Sequence, residues 1–355
     1  MLELDSLDLK SLDPGGMAAR IAGTASDATR AFEAAQALPW KPAARPRAIL
    51  LAGMGGSAIA GDLLVDYAGD EMSAPFLVVR DYSLPGWAGP DCLFIASSYS
   101  GNTEETLSAY EDAARRGIPR VALCSGGRLQ ALALRDGIPC AGFPGGYQPR
   151  AAIGWSFFTL LGAAIRLGLV GPRDREVAAA IGLIRESAER MGPESPEASN
   201  AAKQLARWLH GGFPVLYGAG RRLGAVALRW RTQLNENSKV FAHHHALPEQ
   251  NHNEIVGWEL PHAWLARARI VGLSDRGDLP RVRSRLEITG RILSEGGATF
   301  QMVESVGDSL LERLFSLLVL GDWVSLYLGL LNGVDPTPVT RIDHLKQQLE
   351  KASAP

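Results

Sequence analysis

Short apolar runs alternate with helical patterns through the first half of the chain. Apolar and small residues recur at helical spacing over 57–68 and 103–116. Five runs rich in strand-forming residues lie around these segments: RAILLAG (47–53), FLVVR (76–80), CLFIASS (92–98), RVALC (120–124) and IPCAGF (138–143). This alternation predicts an α/β fold, in which a doubly wound parallel sheet carries helices on both faces.

The second half of the chain repeats this plan more loosely. FPVLYGAGRRLGAVALRW (213–230) resembles RAILLAGMGGSAIAGDLL (47–64), since each has a strand, a glycine turn and a helix in that order. Further strands are expected at 268–274 and 298–305, and a last helix from about Thr340. Internal similarity on this scale predicts two related α/β domains rather than a short-period solenoid.

The boundary between the halves lies in a helical and then polar stretch. The pattern stays helical to about Arg190, and MGPESPEASN (191–200) is rich in Pro, Ser and acidic residues, which is typical of a linker. We therefore expect an N-terminal domain at 1–155, a helical connection and linker at 156–200, and a C-terminal domain at 201–355.

Composition narrows the class of protein. A length of 355 residues exceeds what one core usually serves, and 46% hydrophobic and 21% charged residues are typical of a soluble globular protein. The net charge of −2 offers no basic surface for nucleic acid or for an anionic membrane. Cys92, Cys124 and Cys140 form no CxxC pair, which favours buried thiols in a reducing cytoplasm.

One stretch invites a membrane interpretation. LFSLLVLGDWVSLYLGLLNG (314–333) is strongly apolar, but Asp322 interrupts it and charged residues precede it. We expect a buried core helix here and no membrane span. The N-terminal MLELDSLDLKSLDPGG is acidic and has no apolar core, so no signal peptide is expected.

The run SSYSGNT (97–103) stands where the strand CLFIASS passes into a helix with acidic residues in its first turn. Such a junction exposes unpaired backbone N–H groups and the positive end of a helix dipole. A single cap needs one hydroxyl, whereas this loop has three serines and a threonine. The pattern predicts a phosphate-binding loop, and no second copy of it occurs in the other half.

A dinucleotide is the alternative ligand. LAGMGGSA contains Gly53-x-Gly55-x-x-Ala58, an acceptable dinucleotide fingerprint, and Asp81 follows the next strand as a ribose-binding acid would. A pyrophosphate, however, has no use for a second hydroxyl-rich loop, whereas the three outer oxygens of a terminal phosphate can accept several hydrogen bonds. A phosphorylated small molecule is therefore favoured over a nicotinamide cofactor.

GMGGSAIAGDL and SSYSGNTEETL together resemble a sugar isomerase (SIS) domain, whose serine-threonine loop holds a sugar phosphate. Two such halves, with NENSKV and PEQNHNE in the second, resemble the bifunctional phosphoglucose/phosphomannose isomerases over nearly the whole chain. The resemblance implies a metal-independent aldose-ketose isomerase that converts glucose 6-phosphate, and mannose 6-phosphate, to fructose 6-phosphate through a cis-enediol. No cofactor is expected.

The same resemblance assigns roles to particular residues. Glu236 in QLNENSKV matches the catalytic glutamate, and His252 in EQNHNE matches a ring-opening histidine that the neighbouring subunit delivers, which implies a homodimer with shared active sites. Lys346 matches a lysine near the ring oxygen, and Arg150 resembles the arginine that steadies the enediolate. Solvated surface positions, or a helix cap for the histidine, are the alternatives for these residue types.

For the phosphate, the resemblance carries over residues of both loops. Tyr99 and Asn102 are expected to shape the second loop rather than touch the ligand, and Thr337 in DPTPVT corresponds to a threonine linked to accepting the mannose epimer. The expected phosphate-binding residues are Gly55, Gly56, Ser57, Ser98, Ser100 and Thr103.

Three adjacent histidines, His243-His244-His245, depart from the apolar residues expected in that segment. A metal site is the alternative they raise, but neighbours on a strand point to opposite faces and cannot all bind one ion. No HExxH-like spacing accompanies them, so we expect no metal.

Two other functions stay open on the sequence alone. The same machinery could isomerise another sugar phosphate, although no glutaminase-like N-terminal cysteine is present. A non-catalytic sugar-phosphate sensor is the second, although residues 1–45 show no concentrated Lys/Arg surface for DNA.

Overall fold

Two parallel sheets organise the computed structural model, which describes residues 2–38, 45–259 and 263–352. Within this part of the chain the first sheet has five strands, and the second has four. The strands of the first sheet are β1 (Ile49–Ala52), β2 (Phe76–Val79), β3 (Leu93–Ser98), β4 (Arg120–Cys124) and β5 (Cys140–Gly142). Those of the second are β6 (Phe213–Ala219), β7 (His243–Leu247), β8 (Ala268–Ser274) and β9 (Thr299–Glu304).

Helices connect these strands and cover both sheets. In the first half they are α1 (Leu9–Leu12), α2 (Met17–Ala22), α3 (Thr24–Gln36), α4 (Gly55–Ala68), α5 (Glu104–Arg115), α6 (Gly127–Arg135), α7 (Ile153–Arg166) and α8 (Asp174–Met191). In the second they are α9 (Ala201–Leu209), α10 (Gly224–Asn237), α11 (Pro280–Glu295), α12 (Leu310–Leu331) and α13 (Thr340–Ala352). The predicted α/β fold with two parallel sheets and a last helix is confirmed. Strand β7, which contains the three histidines, was not among the predicted strands.

The two sheets have the same topology. Their strand orders, β2-β1-β3-β4-β5 and β7-β6-β8-β9, correspond strand for strand, apart from the extra β5. In a doubly wound sheet the ligand crevice opens beside the central strand where the order reverses. The loops after β1 and β3 flank that crevice in the first half, and those after β6 and β8 flank its counterpart in the second.

The main core lies between the sheets. The residues of β1 alternate between two hydrophobic cores. Ile49 and Leu51 face the central core, which also contains residues of α3, α4, α7, α8 and α12. Leu50 faces the opposite side of the sheet, where it packs with α5 and α6. This division explains the continuous apolar runs of the strands, because both faces are covered. Helix α8 and all but the first three residues of α7 fall in the predicted 156–200 connection, and both helices belong to this core. The predicted domain boundaries stay a prediction.

Helix α12 is the apolar stretch that resembled a membrane span. It is long and apolar enough to cross a bilayer, yet 83% of its most apolar window is buried inside the protein. A capping box starts it, in which the Ser309 side chain accepts from the Glu312 N–H and the Glu312 carboxylate accepts from Ser309. Asp322 is buried and pairs with Arg229 of α10 at 2.8 Å, so its charge is neutralised within the core. These features are those of a core helix.

One carboxylate joins the two halves at a helix end. Asp66 of α4 accepts a hydrogen bond of 3.0 Å from the Ala225 N–H in the first turn of α10. Burial raises the pKa of Asp66 to about 7. The N-terminus of α10, the counterpart of the N-terminus of α4 at the glycine loop, is thus capped by a side chain of the other half.

Candidate active site

The SSYSGNT loop is held in shape by its own hydroxyls. Ser98 Oγ lies 2.8 Å from Thr103 Oγ1 and accepts a hydrogen bond of 3.1 Å from the Gly101 N–H. Gly101 has φ +68°, and a Cβ there would overlap the Gly126 carbonyl oxygen, so only glycine fits. Helix α5 begins directly after Thr103, which places hydroxyls and backbone amides together at a helix N-terminus.

The glycine loop meets the SSYSGNT loop at the carboxyl edge of the sheet. Buried Ser57 accepts a hydrogen bond of 3.1 Å from the Tyr99 N–H, which ties the start of α4 to the second loop. Gly55 and Ser100 are exposed. Two helix N-termini and several hydroxyls therefore converge at this edge, an arrangement suited to a phosphate dianion.

Tyr99 and Asn102 support the loop from behind. The buried Tyr99 ring stacks on Phe143, and its hydroxyl donates to the Pro144 carbonyl at 2.7 Å. Asn102 Oδ1 accepts from the Arg128 N–H at 3.0 Å, at the start of α6. The side chains of both residues are thus engaged with neighbouring segments of the protein.

Arg150 joins the glycine loop to the second half. It lies in the 149–151 turn that precedes α7, and a Cβ on Gly56 would be 2.7 Å from the Pro149 carbonyl oxygen and 3.5 Å from Arg150 Cα. The Arg150 side chain is buried, and its Nη1 lies 3.3 Å from Glu236 Oε2. Gly56, Arg150 and Glu236 are therefore consecutive neighbours, with Arg150 in contact with the other two.

Every nitrogen of the Arg150 guanidinium has an acceptor. Nε donates to Asn237 Oδ1 at 2.6 Å, and Nη2 donates to the carbonyls of Pro336 and Thr337, each at 2.7 Å. Burial lowers the pKa of Arg150, and the charge of Glu236 opposes that effect. The cation is thus fixed in orientation, with Nη1 turned to the carboxylate.

A second buried network supports Arg150 from beneath. Arg229 donates to the Arg150 carbonyl at 3.0 Å while it pairs with Asp322. Gln233 also donates to Asp322, at 2.8 Å, and Asn237 donates to Ser325 Oγ at 2.9 Å. Sequence reasoning singled out none of these as site residues, although Asn237 is part of NEN.

Glu236 is the penultimate residue of α10, and its side chain is 29% exposed. The carboxylate is thus open on one side, as a proton acceptor must be, and paired with a cation on the other.

Lys239, two residues beyond the helix, is the non-glycine residue with positive φ (+56°) in the described ranges. Its Nζ donates to the carbonyls of Glu236 at 2.5 Å and Pro336 at 3.0 Å. Lys239 is not among the site residues predicted from the sequence.

Thr337 borders the site through its backbone. Its carbonyl accepts from Arg150, but its hydroxyl is buried and has no hydrogen-bond partner in the described part of the chain. A Cβ on Gly15 would overlap the Thr337 side chain, so the N-terminal DPGG turn lies directly against it. The expected role of Thr337 in accepting mannose stays a prediction.

Within the described ranges, neither His252 nor Lys346 forms a hydrogen bond or an ion pair with Glu236. His252 lies exposed on the 249–252 turn, and its imidazole forms no hydrogen bond within the part of the chain that the structure describes. Lys346 lies on α13, none of whose residues is buried. Arg150, Glu236 and the two loops thus form one group within the chain, and these two residues lie outside it.

The three histidines do not converge. His243 Nε2 bonds to Glu254 at 2.9 Å, whereas His244 lines a cavity of about 360 Å³ between the two halves with Asp66 and Arg80. Burial and the nearby Arg231 lower the pKa of His244 to about 4. Over the described ranges no group of three or more His, Cys, Asp and Glu side chains is placed to hold a metal ion.

Comparisons with known proteins agree with this architecture. The model of the C-terminal SIS domain of bacterial phospho-glucose isomerase matches residues 198–349. A bifunctional phosphoglucose/phosphomannose isomerase of Caldicellulosiruptor bescii is 44% identical over 301 residues, which cover 85% of this chain and 89% of the relative. A bifunctional phosphoglucose/phosphomannose isomerase of Aquifex aeolicus is 36% identical over 308 residues, which cover 86% of this chain and 91% of the relative. A hypothetical protein from Thermus thermophilus, 17% identical, shares the fold with a TM-score of 0.76 over 96% of this chain and 91% of its own.

Proposed function

Because the chain belongs to the family of bifunctional phosphoglucose/phosphomannose isomerases, we propose that it interconverts glucose 6-phosphate and mannose 6-phosphate with fructose 6-phosphate. The observation that carries the proposal is the continuity from the phosphate loops through Gly56 and Arg150 to Glu236. An anion site, a fixed cation and an open carboxylate on one surface are what an aldose-ketose isomerase requires.

The phosphate does not react but fixes the sugar. Ser57, Ser98, Ser100 and Thr103, with the amides of Gly55 and Gly56, hold it at the helix N-termini. Its binding energy then holds the sugar carbons against the carboxylate, so that the proton transfer becomes effectively intramolecular.

Glu236 moves the proton. In the open-chain aldose it takes the proton from C2, and the electrons of the C2–H bond form the C1–C2 double bond as the C1 carbonyl oxygen gains negative charge. Arg150 Nη1 faces this oxygen with its cation, which lowers the energy of the enediolate. Return of the proton to C1, with transfer of the O2 proton to O1, yields the ketose.

One base can serve both epimers. Glucose 6-phosphate and mannose 6-phosphate differ only in the configuration of C2, which becomes planar in the cis-enediol. Both aldoses therefore give the same intermediate, and no metal or organic cofactor is needed for the balance of atoms. We assign to Thr337, which packs against Gly15, the acceptance of mannose 6-phosphate beside glucose 6-phosphate.

We also propose a homodimer with shared active sites. Ring opening needs a proton donor and acceptor beside the ring oxygen, and the two residues assigned to this step, His252 and Lys346, are not bonded to the group around Glu236 within the described chain. His252 and Lys346 are exposed on a turn and a helix of the second half, so a second copy can supply them. A soluble enzyme of carbohydrate metabolism, in glycolysis or gluconeogenesis in the cytoplasm, fits three free thiols and a mostly buried α12.

The test is a coupled assay for fructose 6-phosphate with each aldose, after treatment of the protein with a chelator. We expect activity on both substrates, and we expect Glu236→Gln to lose turnover while it still binds the sugar phosphate. Turnover by Glu236→Gln at the wild-type rate would remove the assignment of the base. A parallel panel of amino-sugar and pentose phosphates tests for another substrate, and thermal stabilisation by ligand without any turnover would instead indicate a sensor.

A further inference from the structure

The turn that carries His252 is fastened on both sides of the histidine. Asn251 Nδ2 donates to Thr289 Oγ1 of α11 at 2.8 Å, and Asn253 Nδ2 donates to Glu249 Oε1 at 2.6 Å. The imidazole of His252 itself is exposed and unbonded within the described ranges. The position of the imidazole therefore depends on the backbone at His252, and the side chains of Asn251 and Asn253 help to hold that backbone in place.

A further contact beside the turn is made by the Glu254 carboxylate, which bonds to two neighbouring strands. Glu254 Oε1 accepts from the Tyr217 hydroxyl at 2.5 Å, and Glu254 Oε2 lies 2.9 Å from His243 Nε2. Tyr217 is fully buried in β6, and His243 is in the adjacent β7. We call these three residues the Glu254 clamp, because the side chain of Glu254, two residues after His252, joins the chain at that point to both strands.

The electrostatics of the clamp keep the carboxylate charged. Burial alone would raise the pKa of Glu254, but the hydrogen bonds from His243 and Tyr217 outweigh burial and lower it. Burial and Glu254 both raise the pKa of Tyr217, which therefore stays a hydrogen-bond donor. A charge-assisted pair of bonds is stronger than neutral ones and more sensitive to geometry.

We infer that Tyr217, His243 and Glu254 are positioning residues that hold His252 in the orientation needed to open the sugar ring. The inference rests on the proposed function, since it assumes that His252 acts on the ring oxygen. It also gives His243 a role and explains a histidine in a strand where apolar residues were expected. A displacement of about 1 Å at a reacting group can reduce a rate about 100-fold, so a loosened turn should impair catalysis without removing any group that touches the substrate.

The experiment separates ring opening from proton transfer. Ring opening alone interconverts the α and β anomers of glucose 6-phosphate, and exchange NMR measures this rate without any isomerisation. We expect Glu254→Gln to slow anomer interconversion about 10- to 100-fold and to slow isomerisation by a similar factor, with KM little changed. Tyr217→Phe, which removes a single hydroxyl, should act in the same direction if Glu254→Gln fails to fold. The matched control is His244→Asn, since His244 is in the same strand but faces the cavity between the halves, and it should keep the wild-type anomer rate.

A conservative variant provides rescue. His243→Gln keeps an N–H donor toward Glu254 and should retain more of the anomer rate than His243→Phe, which has none. If Glu254→Gln and Tyr217→Phe interconvert the anomers at the wild-type rate while His252→Asn does not interconvert them, the positioning role of the Glu254 clamp is wrong. The ring-opening role of His252 would then stand. Anomer interconversion at the wild-type rate in His252→Asn would overturn the ring-opening role of His252, and the inference with it.

Discussion

Replacing Arg150 by lysine tests the site most directly, because the substitution keeps the positive charge and removes the planar guanidinium group with its several N–H donors. Arg150 uses all three guanidinium nitrogens in four hydrogen bonds, to Glu236, Asn237 and two backbone carbonyls. The lysine ammonium is a single point charge and cannot reproduce donors on three sides of a plane. In Arg150→Lys we therefore expect the Glu236 contact or the carbonyl contacts to be lost.

The magnitude follows from what is lost at the transition state. A fixed donor that faces developing negative charge contributes about 2.7–4 kcal/mol, which corresponds to a loss of about 10²–10³ in kcat. The Thr337 carbonyl would lose its charged donor, whereas the Pro336 carbonyl would keep the hydrogen bond from Lys239. Leaving a buried acceptor unpaired costs about 1–3 kcal/mol of stability, and the partly buried Thr337 carbonyl should cost an amount at the lower end of that range. We expect Arg150→Lys to lose kcat by about 100-fold or more and to unfold at a lower temperature.

The assay measures kcat and KM on glucose 6-phosphate and mannose 6-phosphate together with the thermal midpoint. Arg166→Lys is the matched control, because Arg166 ends the helix that follows Arg150 and its guanidinium makes an exposed contact of 3.4 Å with the Leu38 carbonyl. The control should keep wild-type kinetics. An Arg150→Lys enzyme within about twofold of wild-type kcat would refute the argument that the orientation of the guanidinium matters.

Three further predictions concern the frame of the site. Gly56→Ala places a methyl group 2.7 Å from the carbonyl of the 149–151 turn, so kcat should fall at least about tenfold in the coupled assay; unchanged kcat would mean that the turn is free to move. Asp322→Asn leaves the Arg229 cation buried without its counter-charge and should cost about 3–5 kcal/mol in urea unfolding, whereas a cost below about 1 kcal/mol would contradict it. The raised pKa of Asp66, about 7, means that its contribution to stability is present at low pH and is lost as the pH rises through 7. Wild-type protein should thus lose about 2 kcal/mol more than Asp66→Asn between about pH 5.5 and 8.5 in the same assay, and equal losses would count against burial of the charge.

The local patterns of the sequence predict most of the strands well, because these patterns depend on neighbouring residues. The run RVALC is the observed β4 from end to end, and ARIVGLS is β8. Strand β7 was not predicted, because histidines replace its apolar residues, and one of them, His243, bonds to Glu254 in another segment. Which residues of a half-polar strand such as β7 are polar depends on the segments that they contact, and these segments are remote in sequence.

The supports of the site are likewise beyond local patterns. Arg229 and Asp322 are 93 positions apart, and nothing near either residue indicates that they pair. The same holds for Gly15, whose contact with Thr337 depends on how the N-terminal turn folds back on the C-terminal region. The sequence predicts which residue types the chemistry needs, but only packing decides how each is held.

The carboxylate of Asp66 has a consequence for how the duplicated halves divide the work. Helices α4 and α10 are counterparts, yet under the proposed function each contributes its opposite end: α4 offers its first turn to the phosphate, and α10 offers its last turn, with Glu236, to the sugar carbons. Because Asp66 fills the first turn of α10 from within the chain, that end is closed to an incoming anion. Each polypeptide should accordingly take up one substrate molecule, not two, despite its two sheets.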